Sequence, residues 1–222
     1  MQYFITGVDT DIGKTYVTKG LALSFAKQGK TVGVFKPLQS SAIKTPTGYL
    51  APDLEAIKEL SSDISTKCSY IFGGDVSPAL AARLANVKID IEKIKYDFEI
   101  FSKENEIVLV EGAGGILAPA TDDCLCADLI KKLNIPIIIV TVPFLGRLNH
   151  TLLTINYAKS VGIDIKGIVI NKVPIQSSDL ATNNFIDELK RYTDVEILGS
   201  IHNLRIHDGE EFLRILKKIF SL

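Results

Sequence analysis

The run Tyr3-Phe4-Ile5-Thr6, followed at once by Gly7-Val8-Asp9-Thr10-Asp11-Ile12-Gly13-Lys14-Thr15, constrains this chain more than any other feature. A short apolar run, a glycine-bounded loop and a helical pattern over residues 14–27 make the strand–loop–helix context of a phosphate-binding loop. Glycines let the backbone wrap a polyphosphate, and the helix N-terminus adds free N–H groups and a partial positive charge. Lys14 is expected to reach the β- and γ-phosphates of a nucleoside triphosphate, and the Thr15 hydroxyl to ligate Mg2+. Asp11, Ile12, Gly13 and Tyr16 complete the expected nucleotide contacts of this segment. Five residues separate Gly7 from Gly13, one more than in the common G-x4-G-K-[ST] string.

The rest of the chain keeps the rhythm that such a loop requires. Short apolar runs recur at 3–6, 31–35, 107–110, 136–142, 165–170 and 196–198, with helical spacing at 14–27, 52–60, 78–85 and 149–160. Runs apolar on both faces, such as IVLV and IIIV, need cover from both sides. The alternation predicts an α/β fold, a mostly parallel sheet flanked by helices, P-loop NTPase-like, with right-handed crossovers. One domain is expected over residues 1–222. Residues 48–76 are the least regular part and read mainly as loop signals.

Composition removes several other classes. A net charge of -1 with scattered basic residues gives no expectation of nucleic-acid binding. The longest apolar run, 135–144, is too short to span a bilayer and is broken by Pro136 and Pro143. No secretory pattern precedes the phosphate loop. Three cysteines, Cys68, Cys124 and Cys126, form an odd set without metal spacing, as expected of reduced thiols in a cytoplasm.

In parallel sheets ligands gather at the carboxyl ends of the strands, so those positions carry the functional reading. Lys36, before Pro37, is either an ordinary lysine where a strand emerges or a cation for charge on a transferring phosphoryl group. Pro37 is expected to stop that strand. Glu111 follows IVLV and suits a magnesium ligand, while the glycines of Gly112-Ala113-Gly114-Gly115 let backbone approach phosphate. Asp53 opens a helix, where an aspartate serves equally as a cap. Asn171 and Lys172 follow another strand; Asn171 either reads a base or makes a turn. Residues 144–151 read as a loop entering a helix, and His150, with no acidic partner in view, reads as structural.

With these residues assembled, the chain resembles the dethiobiotin synthetase family. The matching pieces are GVDTDIGKT (7–15), FKPLQSS (35–41), KTPTGYLAPD (44–53), VEGAGG (110–115), LGRLNHTLLT (145–154) and IVINKV (168–173). They occur in family order, and the longer glycine spacing is itself the family's form of the loop. The resemblance implies a cytoplasmic ligase that carboxylates 7,8-diaminopelargonate with CO2 and closes the ring with ATP and Mg2+. A carbamic–phosphoric anhydride is the implied intermediate. It further implies that Lys14 and Lys36 hold phosphate and carbamate charge, with Thr10 and Ser40 at the carbamate end. Thr15, Asp53 and Glu111 would bind Mg2+, and Asn171 would contact the base. Gly146 and Asn149 would serve the substrate's carboxylate tail from the other subunit of a homodimer, with no nucleic acid or membrane involved.

Two departures set further expectations. The family's Gly-x-Ile-Pro stretch near the adenine reads Gly199-Ser200-Ile201-His202 here, so weaker discrimination among bases is expected. The alternative reading is a partitioning or membrane-site switch ATPase. It draws on the tail, where Phe212, Ile215, Leu216, Ile219 and Phe220 form one apolar stripe beside basic residues. Those ATPases carry a signature lysine where this chain has Asp9, which weighs against that reading.

Overall fold

The computed structural model describes residues 1–174, 176–202 and 210–220. Its strands are β1 (Gln2–Gly7), β2 (Val32–Gln39), β3 (Ile43–Thr45), β4 (Gly48–Leu50), β5 (Ile64–Ile71), β6 (Ile107–Gly115), β7 (Ile137–Thr141), β8 (Ile165–Val173) and β9 (Ile197–His202). The helices are α1 (Lys14–Ala26), α2 (Pro52–Lys58), α3 (Pro78–Leu84), α4 (Ile91–Lys103), α5 (Cys126–Leu133), α6 (Arg147–Ser160), α7 (Leu180–Tyr192) and α8 (Glu210–Phe220). Seven strands form one sheet in the order β5-β2-β6-β1-β7-β8-β9, and each neighbouring pair is parallel. β3 and β4 make a separate antiparallel hairpin.

Side-chain alternation explains why this sheet needs two layers of helices. Phe4, Val108, Val110, Ile137 and Ile139 face one apolar cluster; Tyr3, Ile5, Ile107, Leu109, Ile138 and Val140 face another. Helices α3 to α7 cover the first face, through residues such as Ile94, Phe98, Leu129, Ile155 and Phe185. Helices α1, α2 and α8 cover the second through Leu21, Phe25, Ile57 and Leu216. Burying both faces requires the continuous apolar runs seen in the sequence.

Two expectations are corrected. β2 does not stop at Pro37 but runs to Gln39. Its ladder to β6 ends at the pair Phe35–Val110, while its ladder to β5 continues to Gln39–Ile71. Pro37, which lacks an N–H, thus lies where β2 has already parted from β6. Residues 48–76 also hold more order than loop signals suggest: besides the helix expected at 52–60, found as α2, they contain β4 and the eight-residue edge strand β5.

The apolar stripe of the tail turns inward. Phe212, Ile215, Leu216 and Ile219 are buried, and Phe212 lies 6.1 Å from the Tyr16 ring. Gly20 permits this approach, since a Cβ there would fall 2.0 Å from Phe212 Cζ. Among the described residues, no helix is long and apolar enough to cross a membrane.

Candidate active site

The phosphate loop is braced from outside by side chains. Asn171 Nδ2 donates to the Ile12 carbonyl at 2.9 Å, Lys172 Nζ to the Asp11 carbonyl at 2.7 Å, and Lys14 Nζ to the Asp9 carbonyl at 2.9 Å. The C=O and N–H of one trans peptide point in opposite directions. Tying down the Asp11 and Ile12 carbonyls therefore turns the Ile12 and Gly13 N–H groups away from those donors. Gly13 caps α1 with φ 89°, and a Cβ there would fall 2.1 Å from Asn171 Nδ2. Backbone conformation and contact both require glycine at this point.

Beyond the last β2–β6 ladder pair, Lys36 bridges the opening between the two strands. Its Nζ lies 2.6 Å from Asp53 Oδ2, 2.7 Å from Glu111 Oε1 and 3.5 Å from the Gly112 carbonyl. Thr15 Oγ1 sits 2.7 Å from Glu111 Oε1 and 3.0 Å from Asp53 Oδ1, and its single proton serves one of them at a time. Lys36 is 4% exposed and Glu111 1%. Buried charges of this kind persist only when paired; removing one partner typically costs ~3–5 kcal/mol. Burial pulls the Lys36 amine down, but Glu111 and Asp53 outweigh it and raise its pKa above the ordinary lysine value. Burial pushes Asp53 up, yet the Lys36 ammonium and hydrogen bonds from Lys36 and Thr15 hold it below the usual carboxylate range. Lys14 is lowered, first by burial and then by the neighbouring Lys36 charge. Asp53 does not act as the cap of α2: the N-cap is Ala51, without a side-chain bond.

The donor set fits a magnesium ion. Glu111 Oε2 is buried with no hydrogen-bond partner among the described residues, an expensive state for a carboxylate oxygen. Two carboxylates and one hydroxyl supply oxygen ligands alone, which suits Mg2+, an ion that also keeps waters and phosphate oxygens.

These groups open onto a cleft of about 770 Å³. Thr10, Asp11, Gly13, Ser40, Gly112, Ala113, Gly114 and Lys172 line it together with Lys14, Thr15, Lys36, Asp53 and Glu111. Other expected contacts lie elsewhere. Ile12 and Asn171 are buried behind the loop, and Tyr16 packs toward Phe212. Gly146 and Asn149 are exposed at the start of α6, Asn149 within its first turn.

A family model described as an AAA domain matches residues 1–211. An ATP-dependent dethiobiotin synthetase from Methanococcus vannielii is 36% identical over 97% of this chain and 98% of its own. One from Clostridium perfringens is 32% identical over 96% of each chain. The chain belongs to the dethiobiotin synthetase family. Solved structures extend the likeness in fold alone. A plasmid partition protein from Borrelia burgdorferi superposes with a TM-score of 0.64 at 13% identity, covering 98% of this chain and 97% of that one. The MinD cell division protein of Aquifex aeolicus gives 0.60 at 16% identity, covering 99% and 95%.

Some groups of this dethiobiotin synthetase family member escape sequence reasoning. Arg147 Nη1 lies 2.5 Å from Asp9 Oδ2 and 3.0 Å from His150 Nδ1. His150 therefore has an acidic neighbour after all, with Asp9 at 4.0 Å. The Arg147 hydrogen bond, and then the Thr10 N–H, hold the Asp9 carboxyl below its usual range. The available signal was an arginine in the first turn of a helix, where a cation is unfavourable without an acidic partner. A second cleft, of about 420 Å³, adjoins the first through Thr10 and Gly114 and runs between Leu117 and Leu153. At the end of β9, where the resemblance leads one to expect proline, His202 Nδ1 meets Glu211 Oε1 at 2.6 Å. Residues 203–209, which follow that stretch, lie outside the described residues.

Proposed function

We propose that this chain, acting as one domain in the cytoplasm, carboxylates 7,8-diaminopelargonate with CO2 and closes its ureido ring with ATP. The products are dethiobiotin, ADP and phosphate. One amine takes up CO2 and loses a proton to become a carbamate. A carbamate oxygen attacks the γ-phosphorus and ADP leaves, giving a carbamic–phosphoric anhydride. The second amine attacks that carbonyl and gives up a proton to solvent, and phosphate departs with the C–O bonding electrons. Phosphorylation converts a poor leaving oxygen into a good one, and a shared substrate skeleton makes the ring closure intramolecular.

The observation that carries this reading is the convergence of Lys36, Thr15, Asp53 and Glu111 within 3.0 Å contacts beside the phosphate loop. Lys14 holds the β- and γ-phosphates. Lys36 neutralises charge on the transferring phosphoryl group and the carbamate, which Thr10 and Ser40 orient. Thr15, Asp53 and Glu111 would hold Mg2+, which supplies further neutralisation of phosphate oxygens. Asp11, Ile12, Gly13, Tyr16, Gly112, Ala113, Gly114, Asn171 and Lys172 form the nucleotide's surroundings. Gly146 and Asn149 act on the substrate of a second copy in a homodimer. Exposed Phe144, Leu145, Leu117 and Leu153 near that helix support such a contact.

The deciding assay follows ADP release and dethiobiotin formation by mass spectrometry with ATP, Mg2+, bicarbonate and diaminopelargonate. Equal yields of both products, lost when bicarbonate or the diamine is omitted, are expected. ATP hydrolysis indifferent to both omissions would favour the switch-ATPase alternative instead.

A further inference from the structure

We propose that Lys36 is the resident cation of the divalent-metal position, so that the nucleotide-free protein excludes free divalent ions and admits one only together with a polyphosphate. The inference rests on the metal role of Thr15, Asp53 and Glu111 given above. Its basis is which atoms Lys36 occupies. Glu111 Oε1 is 2.7 Å from both Lys36 Nζ and Thr15 Oγ1, and Asp53 offers Oδ2 to Lys36 at 2.6 Å and Oδ1 to Thr15 at 3.0 Å. The ammonium therefore shares the carboxylates and the hydroxyl's surroundings with any metal bound there. A divalent ion and an ammonium repel each other at this spacing, and the burial of Lys36 and Glu111 weakens the screening between them.

Lys36 has nowhere else to go while the cleft holds no anion. It is 4% exposed, and its other hydrogen-bond contact among the described residues, the Gly112 carbonyl, is 3.5 Å away and carries no net charge. Displacing it by metal alone would leave a buried ammonium without a counter-ion, the costly outcome for an ion pair out of water. A polyphosphate on the adjoining loop changes the balance. It offers the ammonium new oxygens and frees Asp53 and Glu111 for the metal. Lys36 would then reach the phosphates only when a metal takes its former place, so metal loading and delivery of the cation become one event.

The test uses Mn2+ as the probe, with bound and free ion separated by electron paramagnetic resonance on the full chain. Nucleotide-free parent protein should bind Mn2+ weakly, and Lys36→Met should bind it at least about tenfold more tightly without nucleotide. Lys36→Arg, which keeps the charge, should stay weak. Adding Glu111→Gln to Lys36→Met should remove the gain. Lys36→Met binding no tighter than parent would overturn the proposal. Failure of the underlying metal assignment looks different: with ADP present, parent, Asp53→Asn and Glu111→Gln would then all bind Mn2+ alike. Should Lys36→Met not fold, the parent's thermal midpoint decides. A rise with Mn2+ plus inorganic triphosphate, absent with either alone, supports the proposal; an equal rise with Mn2+ alone overturns it.

Discussion

An ammonium held between two carboxylates is stable only while all three groups remain charged, and each end of the pH scale removes a different one. The folded-state pKa of Asp53 is lowered from 3.8, so its contribution is complete above 3.8 and is lost as pH falls through the lowered value. Lys36 is raised from 10.5, so its contribution is complete below 10.5 and is lost as pH rises through the raised value. Urea midpoints measured against pH should show an acid limb below 3.8 that is shallower in Asp53→Asn than in the parent. Parallel curves would show that the pair adds nothing to folding. In catalysis, Lys36→Gln should lower kcat on the order of 10²–10³, because the ammonium delivered to the phosphates stabilises charge that develops during transfer. Near-normal turnover would remove Lys36 from the chemistry. Lys36 and Glu111 were legible because residue type and strand-end position coincide in the sequence, and Lys14 because it closes the phosphate-loop string. Asp53 opens a helix, where a cap was an equal reading, and only the family resemblance gave it a role. The Asp9–Arg147 pair was not legible, because 138 positions separate its members and only the fold brings them together.

Helices α1 and α8 show the same division between pattern and contact. The apolar stripe of α8 is plain in the sequence, but its destination is not, since a membrane and a sheet ask for the same periodicity. Gly20 decides how closely the two helices approach. Alanine is ordinarily the better helix residue by about 1 kcal/mol. At position 20, however, its Cβ would meet Phe212 at 2.0 Å, so Gly20→Ala should destabilise by about 1–3 kcal/mol as overpacking. Phe212→Leu, which removes ring atoms at that contact, should recover part of the loss in a double-mutant cycle by urea denaturation. Additive effects would mean that the helices yield to the extra methyl elsewhere. Strands β6 and β7 were legible because both faces are buried and the runs are wholly apolar. β5 was not: an edge strand that is half-buried along most of its length carries Ser65, Lys67 and Ser69 among its apolar residues and lacks that signature.

For the whole molecule, the parallel sheet followed from the alternation of strands and helices, whereas the order of strands within it did not. Assembly is the matching functional question at this scale. If Lys36 and Asn149 serve one site from different copies, mixing Lys36→Gln with an Asn149→Ala variant deficient in substrate binding should restore activity. Random exchange makes about half the dimers mixed, each with one intact site of two, so about a quarter of parent activity is expected. Verified exchange with no recovery, or an active monomer, would end the shared-site reading. The strand order also bears on how the protein is made. β1 lies between β6 and β7, so its neighbours, Ile107–Gly115 and Ile137–Thr141, begin to emerge from the ribosome a hundred residues or more after it. At about 5–20 residues per second, the first strand waits on the order of ten seconds with both edges bare. During that interval it offers chaperones an unpaired apolar segment. A nascent chain arrested before residue 137 carries its nucleotide loop on a strand that still lacks β7 along one edge.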